Sequence, residues 1–207
     1  MTLTPGSQSH RAYLDLEERI VTHRFAPGTL VTERELIDLS GHGRTPVREA
    51  IQKLAWQGLI EVRPRVGLRI SAICPADHGK ILTVRHLLEP MAASLVAENA
   101  NDEQRAALVE CARAMTSAAT AGSYEAFLAA DKRFDEILEA ACPNPFLISA
   151  LSPLQTHSRR LWYAGATPEK MDRSVLLHVA VIRAIQKGNA VEAETAMRRL
   201  IEALRDA

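Results

Sequence analysis

Residues 45–54 read Thr45-Pro46-Val47-Arg48-Glu49-Ala50-Ile51-Gln52-Lys53-Leu54. Val47, Ala50, Ile51 and Leu54 fall at i, i+3, i+4 and i+7, the spacing that puts four side chains on one face of an α-helix. Pro46 suits a first turn, where its missing N–H has no intrahelical acceptor. Thr45 just before it reads as the N-cap. Arg44 sits at the helix mouth and Gly58 marks the stop. The other face carries Thr45, Arg48, Glu49, Gln52 and Lys53. It is long, hydrogen-bonding and cationic toward its N-terminal end.

A polar helix face is by default a solvated one, but the neighbours of this one alter the reading. Before it, Leu30 to Leu39 reads as a second short helix with Thr32 as cap, and Ser40-Gly41-His42-Gly43 as a tight turn. A helix, a short glycine-bearing turn and a second helix lay the second helix in a DNA major groove. After it, within Leu59 to Ile70, two short β-type runs flank a Pro-Arg-Val-Gly turn. They read as a hairpin, or wing.

The run Arg44-Thr45-Pro46-Val47-Arg48-Glu49-Ala50-Ile51, then Leu54, Gly58-Leu59-Ile60 and Arg65-Val66-Gly67, closely resembles the winged-helix head of the GntR family of bacterial transcription regulators. Pro27-Gly28 and Glu33 fit the same pattern, and the resemblance covers roughly residues 12 to 72. One departure is His42-Gly43, where the family has a Val-Ser pair. The resemblance and the groove chemistry together point to Arg44 and Arg48 at guanine edges or adjacent phosphates. Thr45 and Gln52 come second, Arg34 meets the backbone, and Arg65 and Gly67 bring the wing to the minor groove or its phosphates.

Charge distribution agrees. Lys plus Arg and Asp plus Glu each number 25, for a net charge of zero. Between Arg44 and Arg69, however, six basic residues (Arg44, Arg48, Lys53, Arg63, Arg65, Arg69) face two acids (Glu49, Glu61). From Cys74 onward 15 basic residues face 17 acidic ones. A basic patch confined to the first third is expected where only that third touches phosphate.

The 207 residues suffice for one large or two small domains. We divide the chain into a flexible arm (1–10), a winged helix-turn-helix domain (11–72), a linker (73–76) and an all-helical domain (77–207). The first helix is placed at Arg11–Phe25. Beyond Cys74-Pro75 no strand-like alternation occurs, and cap and stop signals mark about six antiparallel helices. Asp77, Asn101 or Asp102, Ser123, Asn144, Thr167 and Asn189 open them in turn. The fold class is thus mainly α: a winged helix-turn-helix plus a six-helix bundle. Cys74, Cys111 and Cys142 form no disulfide or zinc pattern and read as buried free thiols. With no signal-peptide pattern and no long apolar run, a soluble cytoplasmic protein is expected.

The second domain resembles the FCD-type effector domain in its shorter, six-helix form. The resemblance rests on Arg85 with Leu88-Glu89 and Ala92-Ala93, Asp131 with Phe134, Asn144, and His178 followed by Val181, Ala184-Ile185 and Gly188. It implies homodimerisation and an interior pocket for a small carboxylate metabolite. The family pocket holds a divalent metal on an Asp, a His four residues later and two further His. Here Asp131, Asp135 and His178 fill three of those positions, and Leu200, which cannot ligate, the fourth. Zn²⁺ or Mn²⁺ on Asp131, Asp135 and His178 is one alternative; the other is that these side chains pair with cations and hydrogen bonds. Without a metal a carboxylate effector needs arginines. Arg85 is suggested by the resemblance, and Arg159 and Arg160 by Trp162 and Tyr163 nearby.

No Gly-rich phosphate loop, His-Glu-x-x-His or Gly-x-Ser-x-Gly is present, so an enzyme is not expected. The reading is a ligand-responsive, dimeric regulator, in this family most often a repressor, bound to a palindromic operator. The alternative is a helical metabolite- or partner-binding module whose winged helix contacts protein.

Overall fold

Helix α3, Arg44–Trp56, is the second arm of a helix-turn-helix and buries Val47, Ala50, Ile51 and Leu54. Its ladder starts two residues earlier than the sequence predicts. Val47 N–H donates to Gly43 O at 3.2 Å, so Gly43 is the N-cap and makes no side-chain cap bond. Thr45 is displaced from the capping role into the exposed first turn.

The computed structural model describes residues 3, 4 and 6–205. Two compact units, Met1–Pro75 and Ala76–Ala207, make up the chain. In the first, helices α1 (Gln8–Val21), α2 (Glu33–Ser40) and α3 pack with strands β1 (Leu30–Val31), β2 (Ile60–Arg63) and β3 (Gly67–Ile70). The antiparallel sheet has the order β1-β3-β2. Leu16, Ile20, Leu36, Val47, Leu54, Leu59 and Ile70 form its buried core.

The structure departs from four local expectations. Helix α1 begins at Gln8, because the Ser7 hydroxyl accepts from His10 N–H at 3.1 Å. Residues 8–10 of the expected arm are therefore helical, while Met1, Thr2 and Pro5 lie outside the described residues. The same helix stops at Val21, since His23 turns to φ 57°, and Phe25 reaches the core from a loop. Leu30 and Val31 are not helical. They pair with Arg69 and Leu68 as a third strand, and α2 starts only after Thr32, which forms a reciprocal capping box with Glu35. Asp77 is not a cap: it lies in the first turn of α4 and holds Lys80 at 2.8 Å.

In the second unit, α4 (Pro75–Asn99), α5 (Asp102–Thr120), α6 (Tyr124–Ala141), α7 (Pro145–Ala164), α8 (Pro168–Gln186) and α9 (Ala190–Ala203) are the elements among the described residues. Asn101, Ser123, Asn144, Thr167 and Asn189 each cap a helix through a side-chain oxygen. The three cysteines are free, but Cys74 is exposed and Cys142 half-buried, so only Cys111 is the buried thiol expected. Among the described residues no helix is long and apolar enough to cross a membrane.

Candidate functional site

Opposite its buried stripe, α3 presents Arg44, Thr45, Arg48 and Gln52 as exposed side chains. The spacing 44, 48, 52 keeps them on one side. Lys53, which the sequence places on the same polar face, turns inward: its Nζ lies 3.7 Å from the Tyr13 ring centroid. Arg69 is likewise used structurally, donating Nε to Gly28 O at 3.2 Å. The cationic surface is therefore narrower than the sequence count. Arg34 on α2 is almost fully exposed and lies 3.8 Å from Asp38.

Glu33 on α2 was not anticipated as a site residue. Its Oε1 accepts from Arg48 Nε at 2.8 Å and lies 3.9 Å from Arg44 Nε. A bond through Nε leaves the two terminal nitrogens of Arg48 for other acceptors. No sequence spacing signals this pair, which is fifteen residues apart and bridges two helices.

In the wing, Arg65 occupies the turn between β2 and β3 at φ 63°, a left-handed conformation that a side chain with a Cβ rarely adopts. Gly67 is not at the tip but opens β3. It has φ +123°, and a Cβ there would approach Val31 O to 3.1 Å. Its glycine is thus explained by the close passage of β1 as much as by any approach to DNA.

The second unit encloses a small cavity of about 30 Å³, to which α4, α6, α7, α8 and α9 all contribute. Arg85, Asp131, Asp135, Arg159 and His178 line it together. Arg160 does not. It is buried elsewhere, and loss of hydration pulls its guanidinium down to about 10. Trp162 lines the cavity, whereas Tyr163 donates to Glu125 at 2.7 Å. An adjoining cavity of about 160 Å³ shares Trp162, Ser174, His178 and Leu200 and extends past Lys170 and Arg173.

Every charge in the first cavity is answered. Arg85 grips Glu89 with two bonds, of 2.8 and 3.0 Å, and donates to Ser158 Oγ. Burial alone would lower the Arg85 guanidinium; the Glu89 carboxylate outweighs it and the net shift is upward. Arg159 donates to Asp135 Oδ2 and stands 3.6 Å from Asp131 Oδ2. Gln155 donates to Asp135 Oδ1 at 3.1 Å. His178 Nε2 lies 2.9 Å from Asp131 Oδ1, and its Nδ1 lies 2.7 Å from Ser174 O.

A carbonyl only accepts, so His178 carries a proton on Nδ1. Bonding an ionised Asp131 requires a second proton on Nε2, which makes the ring an imidazolium. Its titration follows suit: burial lowers it, but the Asp131 bond and charge win and the net shift is up. For Asp131, burial raises and His178 and Arg159 lower, with the net shift down. Asp135 is pushed up to about 7 by burial, which Arg159 only partly offsets and to which Asp131 and Glu89 add. The rings of Phe134 and Phe127 meet His178 edge-on, with centroids 5.2 and 6.1 Å away.

As a metal site this donor set fits poorly. Asp135 is turned onto Arg159 and Gln155, and the α9 position that would supply a nitrogen is the apolar Leu200. Among the described residues no three His, Cys, Asp or Glu side chains are grouped for a metal ion. Sequence reasoning overlooked Gln155 and Ser158, which lie among α7 residues without a distinguishing pattern. Glu89 could have been paired with Arg85 from their i, i+4 spacing.

A winged helix with an arginine-bearing recognition helix, followed by a helical unit with a charged interior cavity, defines a two-unit DNA-binding regulator. Residues 8–70 match the family model described as bacterial regulatory proteins, gntR family, and residues 80–203 match the FCD domain. The chain belongs to the GntR family, with an FCD domain as its second unit, and is a transcription regulator rather than an enzyme. It is 28% identical over 206 residues, 98% of this chain and 88% of the relative, to a probable D-xylose utilization operon transcriptional repressor of Paenarthrobacter nicotinovorans. It is 36% identical over 132 residues, 62% of this chain and 77% of the relative, to an uncharacterized HTH-type transcriptional regulator in the TAR-I ttuE-ttuC' intergenic region of Agrobacterium vitis. Among solved structures, E. coli McbR/YncC superposes with a TM-score of 0.80 at 19% identity, covering 95% of this chain and 94% of that one, a likeness of fold.

Proposed function

We propose that this regulator is a repressor that binds a palindromic operator as a homodimer and is controlled by a small carboxylate metabolite in the α4–α9 cavity. The observation that carries the DNA half is the exposed stripe Arg44, Thr45, Arg48 and Gln52 on α3, set beside a wing whose tip is Arg65. A bidentate arginine reads guanine O6 and N7. Two heads related by a two-fold axis read two half-sites.

A continuous exposed apolar stripe supports the dimer. Val84, Leu87 and Met91 on α4 are 40%, 67% and 54% exposed, spaced i, i+3, i+7. Phe146 at the start of α7 is 86% exposed. The buried face of the same α4 carries Arg85 and Glu89 into the cavity.

The cavity supports a small acidic ligand. A carboxylate entering through the Lys170 and Arg173 side competes with Asp135 for the Arg159 fork. It changes DNA affinity to the extent that it favours one arrangement of the paired heads over another. The test is selection of bound duplexes from a random library by the full chain, followed by gel shifts with and without a panel of short organic acids. Repeated recovery of an inverted repeat whose affinity changes with one acid is the expected result. Recovery of no common sequence would overturn the reading. Arg48→Ala should cost about 1–3 kcal/mol on the selected duplex.

A further inference from the structure

We propose that the guanidinium of Arg159 stands where a divalent cation would have to sit, so that the α4–α9 cavity takes its organic-acid ligand without a metal. The inference rests on reading that cavity as the effector site, and concerns which cation serves it.

The four oxygens of the two aspartates are all engaged. On Asp131, Oδ1 faces His178 Nε2 at 2.9 Å and Oδ2 faces Arg159 Nη1 at 3.6 Å. On Asp135, Oδ1 accepts from Gln155 at 3.1 Å and Oδ2 accepts from Arg159 Nη1. Arg159 thus bridges the carboxylates that, one helical turn apart on α6, would form the acidic half of a metal site. Its other terminal nitrogen donates to Thr156 Oγ1 at 3.2 Å, which fixes the plane of the fork.

An incoming dication would have to break the His178–Asp131 bond, expel two donors from Asp135 and tolerate a buried positive charge next to it. Charge repulsion of that kind is strongest where water is excluded, and Arg159 is only 8% exposed. In return the metal would gain no ligand from α9, where Leu200 and Met197 close the cavity. His178 does have its Nδ1 fixed on Ser174 O, the arrangement that aims Nε2 at a metal. Here that nitrogen meets a carboxylate instead. A guanidinium in this place keeps a fixed single charge and a planar set of donors, so the site prefers a planar anion over a chelating one.

The test uses the full-length protein, treated with chelator and dialysed, and titrated with ZnCl₂ and MnCl₂ by calorimetry. No stoichiometric binding, and a melting temperature unmoved by chelator, is expected. Leu200→His alone should remain indifferent to zinc because Arg159 stays in place. Arg159→Gln with Leu200→His should gain zinc binding at least about tenfold tighter than Leu200→His alone. One zinc or manganese ion held per protomer by the unmodified protein would overturn the proposal. So would zinc binding by Leu200→His equal to that of the double variant. A melting-temperature screen of the unmodified protein with short organic acids separates the two levels. If no acid binds with or without zinc, the effector reading fails while the metal titration still decides the cation.

Discussion

Arg48 donates Nε to Glu33 Oε1 at 2.8 Å, so the central arginine of the recognition helix is buttressed from the preceding helix. Arg44 Nε lies 3.9 Å from the same oxygen. The pair is partly exposed, and its direct contribution to stability is small. Its consequence is for readout. A carboxylate behind the guanidinium orders its fork and lowers the positive potential that attracts any phosphate.

Glu33→Gln should therefore separate two quantities that normally move together. Affinity for random duplex should rise, because one negative charge leaves the DNA face. Discrimination between the selected operator and random duplex should fall by about tenfold, because Arg48 is no longer held for a base edge. Anisotropy titrations of both duplexes at two salt concentrations measure this. A parallel loss on both duplexes would instead mark a folding defect.

The wing offers a contrast between two neighbouring positions. Gly67→Ala forces a Cβ to 3.1 Å from Val31 O at φ +123°, and should destabilise the head by about 1–3 kcal/mol in denaturant unfolding. Arg65→Gly relieves a left-handed side-chain residue, and should leave stability unchanged or raise it by up to about 1 kcal/mol. The same variant should weaken DNA binding and reduce its salt slope by about 1. A large stability loss from Arg65→Gly would contradict the assignment of Arg65 to phosphate contact.

The cavity's contribution to stability should fall as pH rises from about 5 to about 7, and two of its groups, His178 and Asp135, set the direction. His178 titrates above its usual 6.5 when folded, so its contribution is complete below 6.5 and is lost as pH rises through the folded value. Asp135 titrates at about 7 against a usual 3.8, so its neutral form also favours folding at low pH and is lost over that interval. Asp131 titrates below 3.8, so its contribution holds above that value and disappears only under stronger acid. Arg85, Glu89 and Arg159 face the same cavity. Asp135→Asn should flatten the decline, and His178→Gln should narrow its gap to the unmodified protein above neutral pH. Melting curves at several pH values suffice, and an unmodified protein that becomes steadily more stable from about pH 5 to about pH 7 would refute this assignment.

How far the sequence disclosed this molecule depends on the range of each interaction. Val47, Ala50, Ile51 and Leu54 repeat with helical period, so α3 and its exposed face were legible. Caps at Ser123, Asn144, Thr167 and Asn189 act over three residues and were legible too. Strand β1 is two residues long, too short for any period, and exists only because β3 pairs with it. The adjacent Arg159 and Arg160 point about 100° apart on a helix. Which one enters the cavity depends on how α7 is rotated in its packing, a property no local pattern carries. The Arg159–Asp135 and Arg48–Glu33 pairs span twenty-four and fifteen residues and arise from tertiary packing alone.

Leu87 and Met91 lie on α4 with 67% and 54% of their surface exposed, alongside Val84, while the opposite side of that helix holds Arg85 and Glu89. Apolar side chains at i, i+3 and i+7 on an exposed face are costly to leave in water, and a second copy of the chain would cover them. Leu87→Glu should then place a charge in the centre of that interface and shift the dimer toward monomer, raising the dissociation constant by about tenfold or more. Because Leu87 packs into neither the cavity nor the core, the protomer should keep its helical circular dichroism. Loss of the dimer should also remove the advantage of an inverted repeat over a single half-site, since both heads no longer bind as one unit. Sedimentation velocity measures the first effect and gel shifts on half and full sites the second. A variant that stays dimeric would move the interface off this face of α4.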